Sequence, residues 1–251
     1  MRVSNRLRER MRERNRSMWK ARAISLLVVL VCAGVYVSNY YHTDTDAVAA
    51  FLPDVDVERR ELSDGSIAYV PDGATVGVIF YPGAKVEHTA YEPLMKALAD
   101  QGILAITVKM PAKLAVLKQN AADVIREQFE GIKNWYMAGH SLGGNIAASY
   151  ASKNKDSFDG VILLAAYSST DISGSGLKVA SIYGDQDKIL NKENYDRYLN
   201  NLPVGLIETV IEGANHSGFG MYGEQSKDGT ATITGARQIK VTAQIIAEFI
   251  K

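Results

Sequence analysis

Six short apolar runs recur through the chain after its first seventy residues: TVGVIFYPG (75–83), ILAITVKM (103–110), NWYMAGH (134–140), DGVILLAAYS (159–168), LKVASIYGD (177–185) and GLIETVIEG (205–213). Most are continuously apolar rather than alternating, the pattern of a strand covered on both faces. Helix-like segments separate them: HTAYEPLMKALADQG (88–102) with glycine where a C-cap belongs, a stretch from Pro111 to about Phe129, small residues after Ser141, a short piece near 192–201, and the closing GARQIKVTAQIIAEFIK. This alternation predicts an α/β fold, a mostly parallel sheet with helices on both faces. Upstream, SIAYVPDGATVGVIF reads as a hairpin leading into the sheet. At 251 residues and 47% apolar composition, the chain can bury a full core within one domain.

Charge is divided along the chain. Residues 1–22 carry nine Arg and Lys against Glu9 and Glu13, a net +7, and the rest carries 19 basic and 26 acidic side chains, a net −7. The basic head runs into AISLLVVLVCAGVYV (Ala23–Val37), uncharged and almost wholly apolar. Extended to Tyr41 it is about 28 Å long as a helix at ~1.5 Å per residue, close to the ~30 Å of a bilayer core. Trp19, Tyr40 and Tyr41 flank it as interfacial aromatics would. The expected organisation is a basic cytoplasmic tail (1–22), a transmembrane signal-anchor helix (23–41), a polar linker (42–60) and a globular α/β domain (61–251). By the positive-inside rule the N-terminus stays cytoplasmic and the domain is exported. Secretion after cleavage is the alternative, because Ala47–Ala49 supplies an Ala-x-Ala site. The arginines suit an anionic lipid surface rather than nucleic acid. The only cysteine, Cys32, lies in the apolar run, which excludes an intrachain disulfide or a thiol nucleophile in the body.

Gly139-His140-Ser141-Leu142-Gly143 sits where an apolar strand gives way to a helix. Presenting a hydroxyl above a sheet edge demands a sharp strand-to-helix turn, and glycines two residues either side relieve the crowding. Serine needs a base, and the base needs an orienting acid. Of the four histidines, only His216 follows Ser141, in the loop EGANHSGFG after a strand. Between them, VASIYGDQDKIL offers Asp187, favoured because Gly184 can end the strand and the turn can aim it back; Asp185 is the alternative and Asp171 a more distant one.

With these residues in place, the sequence resembles the α/β-hydrolase superfamily, and within it small bacterial, often membrane-anchored members. The matching segments are FYPGAKVEHTAYEPLMKALADQGILAITVKMPAKLAVL, WYMAGHSLGGNIAA, YGDQDKI and GANHSGFGMYGEQSKDG. The resemblance implies the α/β-hydrolase fold with Ser141, Asp187 and His216 as catalytic residues. It also implies an oxyanion hole from the backbone N–H groups of Leu142 and Ala84, although YPGA stands where many esterases have HGGG. Only YSSTDISGSG separates two strands where many relatives insert a helical cap, so an open site without a large cap domain is expected. The implied reaction is cleavage of a carboxylic ester through an acyl-enzyme, with neither metal nor organic cofactor, on a small-molecule or lipid-like acyl substrate. Acyl transfer or amide cleavage would use the same triad, and a non-catalytic binding module is the reading from another class. The loop FGMYGEQSKDGTATITG after His216 is either a pocket wall or a polar surface loop.

Overall fold

The computed structural model describes residues 2–52 and 57–251, and the chain divides into two compact units, Met1–Asn39 and Tyr40–Lys251. Side chains at 2–10, 12–14 and 33, and residues 53–56 within the expected linker, lie outside the described residues.

The first unit is one helix, α1 (Arg2–Ser38), so the basic tail and the apolar run form a continuous rod. Its Asn15–Ser38 portion is long and apolar enough to cross a membrane, and none of that portion is buried by protein.

The second unit is built on an eight-stranded sheet: β1 (Glu58–Glu61), β2 (Ile67–Val70), β3 (Val76–Tyr81), β4 (Leu104–Thr107), β5 (Asn134–His140), β6 (Gly160–Leu164), β7 (Lys178–Gly184) and β8 (Ile207–Ile211). Their spatial order is β1-β2-β4-β3-β5-β6-β7-β8, parallel from β4 to β8, with β1 and β2 antiparallel at one edge. The helices are α2 (Thr45–Phe51), α3 (Glu92–Ala99), α4 (Ala121–Arg126), α5 (Leu142–Lys153), α6 (Lys192–Tyr198) and α7 (Gly235–Ile250).

Alternate residues of each central strand feed two cores, as a doubly covered sheet requires. Val78, Phe80, Ala138, Ile162 and Ile182 meet Leu94 and Leu98 of α3 and Ile239 and Ile246 of α7. Ile79, Tyr81, Met137, Leu163 and Val179 meet Ala147, Ala148 and Ala151 of α5 and Ile125 of α4 on the opposite face.

Three expectations change. The expected hairpin over SIAYVPDGATVGVIF does not form: β2 pairs antiparallel with β1 and β4, and not with β3. β3 is apolar on both faces and takes a central place between β4 and β5, where two neighbours cover it. The expected linker holds the short helix α2, capped by Asp44, whose side chain accepts from Ala47 N–H. The long helix expected over Pro111–Phe129 is two single 3₁₀ turns, Pro111–Lys113 and Ala115–Leu117, followed by α4.

Candidate active site

β5 ends at His140 and α5 begins at Leu142, so Ser141 makes the whole turn between strand and helix. Its backbone sits at φ 53° and ψ −124°, a conformation side chains rarely adopt. The Ser141 N–H donates to Leu164 O at 2.9 Å, and its carbonyl accepts from Gly144 N–H at 3.1 Å, so both flanks hold the strained residue. Close approach explains the glycines. A Cβ on Gly139 would lie 2.5 Å from the Gly143 carbonyl carbon, and one on Gly143 only 2.2 Å from Tyr81 O and 2.3 Å from Pro82 O.

Asp187 follows β7, and His216 lies in the loop after β8. His216 Nδ1 stands 2.9 Å from Asp187 Oδ2, and both side chains are almost completely buried. The other carboxylate oxygen accepts the N–H groups of Ile189 and Leu190, both at 2.8 Å. A carboxylate only accepts, so Nδ1 carries the proton and Nε2 keeps its lone pair. His216 and Ser141 line one cleft of about 190 Å³ with Leu142, Asn145, Tyr167 and Leu190. Among the described residues no hydrogen bond yet joins Ser141 Oγ to the imidazole; such bonds often tighten only around substrate. The competing acids are engaged elsewhere. Asp185 Oδ1 accepts Gly213 N–H at 2.8 Å, tying β7 to the turn after β8, and exposed Asp171 accepts from Ser173.

The backbone N–H groups of Leu142, in the first turn of α5, and of Ala84, in the loop after β3, have no protein acceptor among the described residues. Their neighbours in that loop are used, Gly83 N–H by Tyr91 Oη at 3.2 Å and Lys85 N–H by Lys113 O at 2.9 Å.

A model described as "Alpha/beta hydrolase family" matches residues 77–240, which spans the turn, the acid and the histidine. The chain belongs to the α/β-hydrolase family. Solved structures agree on the fold. A dienelactone hydrolase from Anabaena variabilis superposes with a TM-score of 0.57 at 16% identity, covering 77% of this chain and 97% of its own. Est1E from Butyrivibrio proteoclasticus gives 0.54 at 13% identity, with 77% and 97% covered. TT1662 from Thermus thermophilus gives 0.57 at 17%, with 78% and 97% covered. No curated protein matches the chain by sequence.

This α/β hydrolase also places residues at the site that its motifs did not announce. His140 is buried beneath the cleft, its ring centroid 4.4 Å from that of His216, and Tyr91 Oη lies 2.9 Å from His140 Nδ1. Tyr91 Oη accepts from Gly83 N–H and shares a hydrogen bond with His140 Nδ1, while among the described residues His140 Nε2 has no hydrogen-bond partner. Burial holds the His140 pKa well below the usual histidine value, the neighbouring His216 pushes the same way, and the His216 backbone opposes. His140 is therefore neutral near pH 7, and Tyr91 couples the loop carrying Ala84 to the residue before Ser141. Asn145, one helical turn beyond Ser141, lines the cleft on the same face of α5 and accepts from Ser169 N–H and Oγ. That four-residue spacing was the available signal; Tyr91 carried none, since a tyrosine in an apolar helix start reads as core.

Proposed function

We propose that the protein is a serine hydrolase that cleaves carboxylic esters through an acyl-enzyme. The observation that carries this reading is Ser141, held strained at the rim of a cleft it shares with His216, whose Nδ1–H is fixed by the buried carboxylate of Asp187 at 2.9 Å. Ser141 Oγ attacks the acyl carbonyl while His216 Nε2 takes its proton, and Asp187 stabilises the imidazolium that forms. The oxyanion is received by Leu142 and Ala84 N–H, each worth about 3 kcal/mol in comparable sites. His216 then protonates the departing alcohol, and water, deprotonated by the same imidazole, releases the acid.

The apolar helix is proposed to be retained as a membrane anchor, with the catalytic domain outside the cytoplasm. The Ala47–Ala49 sequence lies within α2, where a peptidase meets helix rather than extended chain. Residues upstream of it are built into the domain. Tyr41 N–H donates to Lys85 O at 2.7 Å, Glu87 N–H to Tyr41 O at 3.1 Å, and Asp44 N–H to Met221 O at 2.8 Å. Cleavage would remove a strap that joins the loop carrying Ala84 to the loop after His216.

The test is hydrolysis of p-nitrophenyl esters of graded acyl length by the full chain in detergent. Ser141→Ala and His216→Ala should each lower kcat/KM by roughly 10³-fold or more, and Asp187→Asn nearly as much, with unchanged circular dichroism. Turnover that survives Ser141→Ala would overturn the reading.

A further inference from the structure

Between β4 and α4 the chain reads Lys113-Leu114-Ala115-Val116-Leu117-Lys118. Ala115 is buried and Leu114 half-buried, but Val116 and Leu117 point outward, 46% and 59% exposed. The turn is no slack loop. Leu117 N–H donates to Leu114 O and Lys118 N–H to Ala115 O, both at 3.1 Å, and Tyr81 Oη donates to Gln119 O at 2.6 Å just beyond. Ala112 and Lys113 are left-handed, at φ 49° and 56°, so the turn keeps its shape at the cost of backbone strain. Fixed, outward-pointing aliphatic side chains between two lysines are the pattern of a surface that meets lipid rather than water.

The flanking charges say which lipid. Lys113, Lys118 and Lys109 line one depression of about 560 Å³ beside the turn. Its acidic members are Asp64, paired with Lys118 at 2.8 Å, and Glu87, which accepts Thr43 N–H at 2.9 Å. Lys113 Nζ sits 3.3 Å from the centre of the Tyr40 ring. Tyr40 is two residues beyond Ser38, the last residue of the apolar helix. A membrane crossed by that helix therefore has its surface within about 10 Å of Tyr40 by covalent connection alone, at ~3.5 Å per residue.

We infer that the Lys113–Lys118 turn is a membrane-contact tip, Val116 and Leu117 entering the outer acyl boundary while the lysines meet anionic headgroups. The inference rests on the retained-anchor reading above. It also deepens the catalytic one, because the tip adjoins the site: Lys113 O accepts Lys85 N–H at 2.9 Å, one residue from Ala84, and the Ala115–Leu117 turn packs on α5, whose first residue is Leu142. The substrate class that fits is an acyl ester of a membrane lipid, drawn from the leaflet on which the tip rests.

The experiment uses the full chain with Cys32→Ala, spin-labelled at Leu117→Cys or, as the control, at Val204→Cys, a fully exposed site. Both are reconstituted in phosphatidylcholine vesicles with and without phosphatidylglycerol. The label at 117 should be more accessible to oxygen than to a water-soluble nickel complex, the label at 204 the reverse, and removing phosphatidylglycerol should weaken the contrast. Equal nickel accessibility at both positions would overturn the proposal, as would label–label broadening at 117, which would make a second copy the occupant. In a kinetic arm, V116S/L117S should cleave a vesicle-borne ester lipid roughly tenfold more slowly and a soluble short-chain ester at the wild-type rate. Equal loss on both substrates, or none on the lipid, would count against it. If the wild type cleaves neither ester, the serine-hydrolase reading fails, and the spin labels still decide the membrane contact.

Discussion

Ser141 shows how much of a strained strand-to-helix turn is set by what the neighbours lack. Its strained backbone persists because Gly143 carries no Cβ: one there would lie 2.2 Å from Tyr81 O, and nothing but backbone stands there to yield. Gly143→Ala should therefore displace the turn, costing about 2 kcal/mol of stability by overpacking and at least roughly a hundredfold in turnover through misplacement of Oγ; denaturant melts and ester kinetics on one preparation check both. His140 makes a separate prediction. Folding holds its pKa well below the ordinary value, with burial the largest cause. Below about pH 6.5, the ordinary histidine pKa, the unfolded chain binds a proton that the folded chain refuses. The stability is thus complete above that pH and falls as the solution is acidified. His140→Gln should flatten this acid-side decline in thermal midpoint, leaving the smaller part due to His88, whose pKa burial also lowers. An unchanged slope would contradict the assignment. Sequence order singled out His216, and the turn after Gly184, able to aim its second aspartate back at the sheet, favoured Asp187 over Asp185. Tyr91 stayed hidden because its role depends on the Gly83 N–H, which only the folded loop brings to it.

At the scale of elements, the central strands were legible because burial on both faces leaves an uninterrupted apolar record. β1 left none. Its Glu58-Arg59-Arg60-Glu61 sequence is exposed throughout and protects the sheet edge with charge. The strand is held by partners far away in sequence: Glu92, buried at the start of α3, takes a two-pronged bond from Arg59 at 2.6 and 3.0 Å and the Tyr69 hydroxyl at 2.8 Å. One carboxylate thereby joins β1, β2 and α3. Glu92→Ala should cost about 2 kcal/mol, chiefly because it leaves the buried Tyr69 hydroxyl without its acceptor and also frees the exposed Arg59 from its two-pronged bond. A double-mutant cycle with Arg59→Ala should return a coupling of about 1 kcal/mol or more, and strict additivity would refute the joint. The 111–129 region departs from the expected helix for a related reason. Its apolar spacing is helical in places, but Ala112 and Lys113 turn left-handed where the chain must follow the loop after β3.

For the whole molecule, the strap from Tyr41 to Asp44 makes the segment that follows α1 part of the hydrolase domain rather than a leash. Full-length protein recovered from membranes should keep its original N-terminus, and a mature end beginning near Ala50 would contradict this. The short connection between β6 and β7 builds no cap over the Ser141 cleft, consistent with a substrate approached from a surface. The proposed chemistry requires that Ser141 Oγ is the atom that becomes acylated. The direct measurement is mass spectrometry of the folded protein after a fluorophosphonate, read on the tryptic peptide Asn134–Lys153. One adduct is expected, on Ser141 of that peptide, lost in Ser141→Ala. A folded wild type that takes up no adduct, or an adduct elsewhere that survives Ser141→Ala, would contradict it.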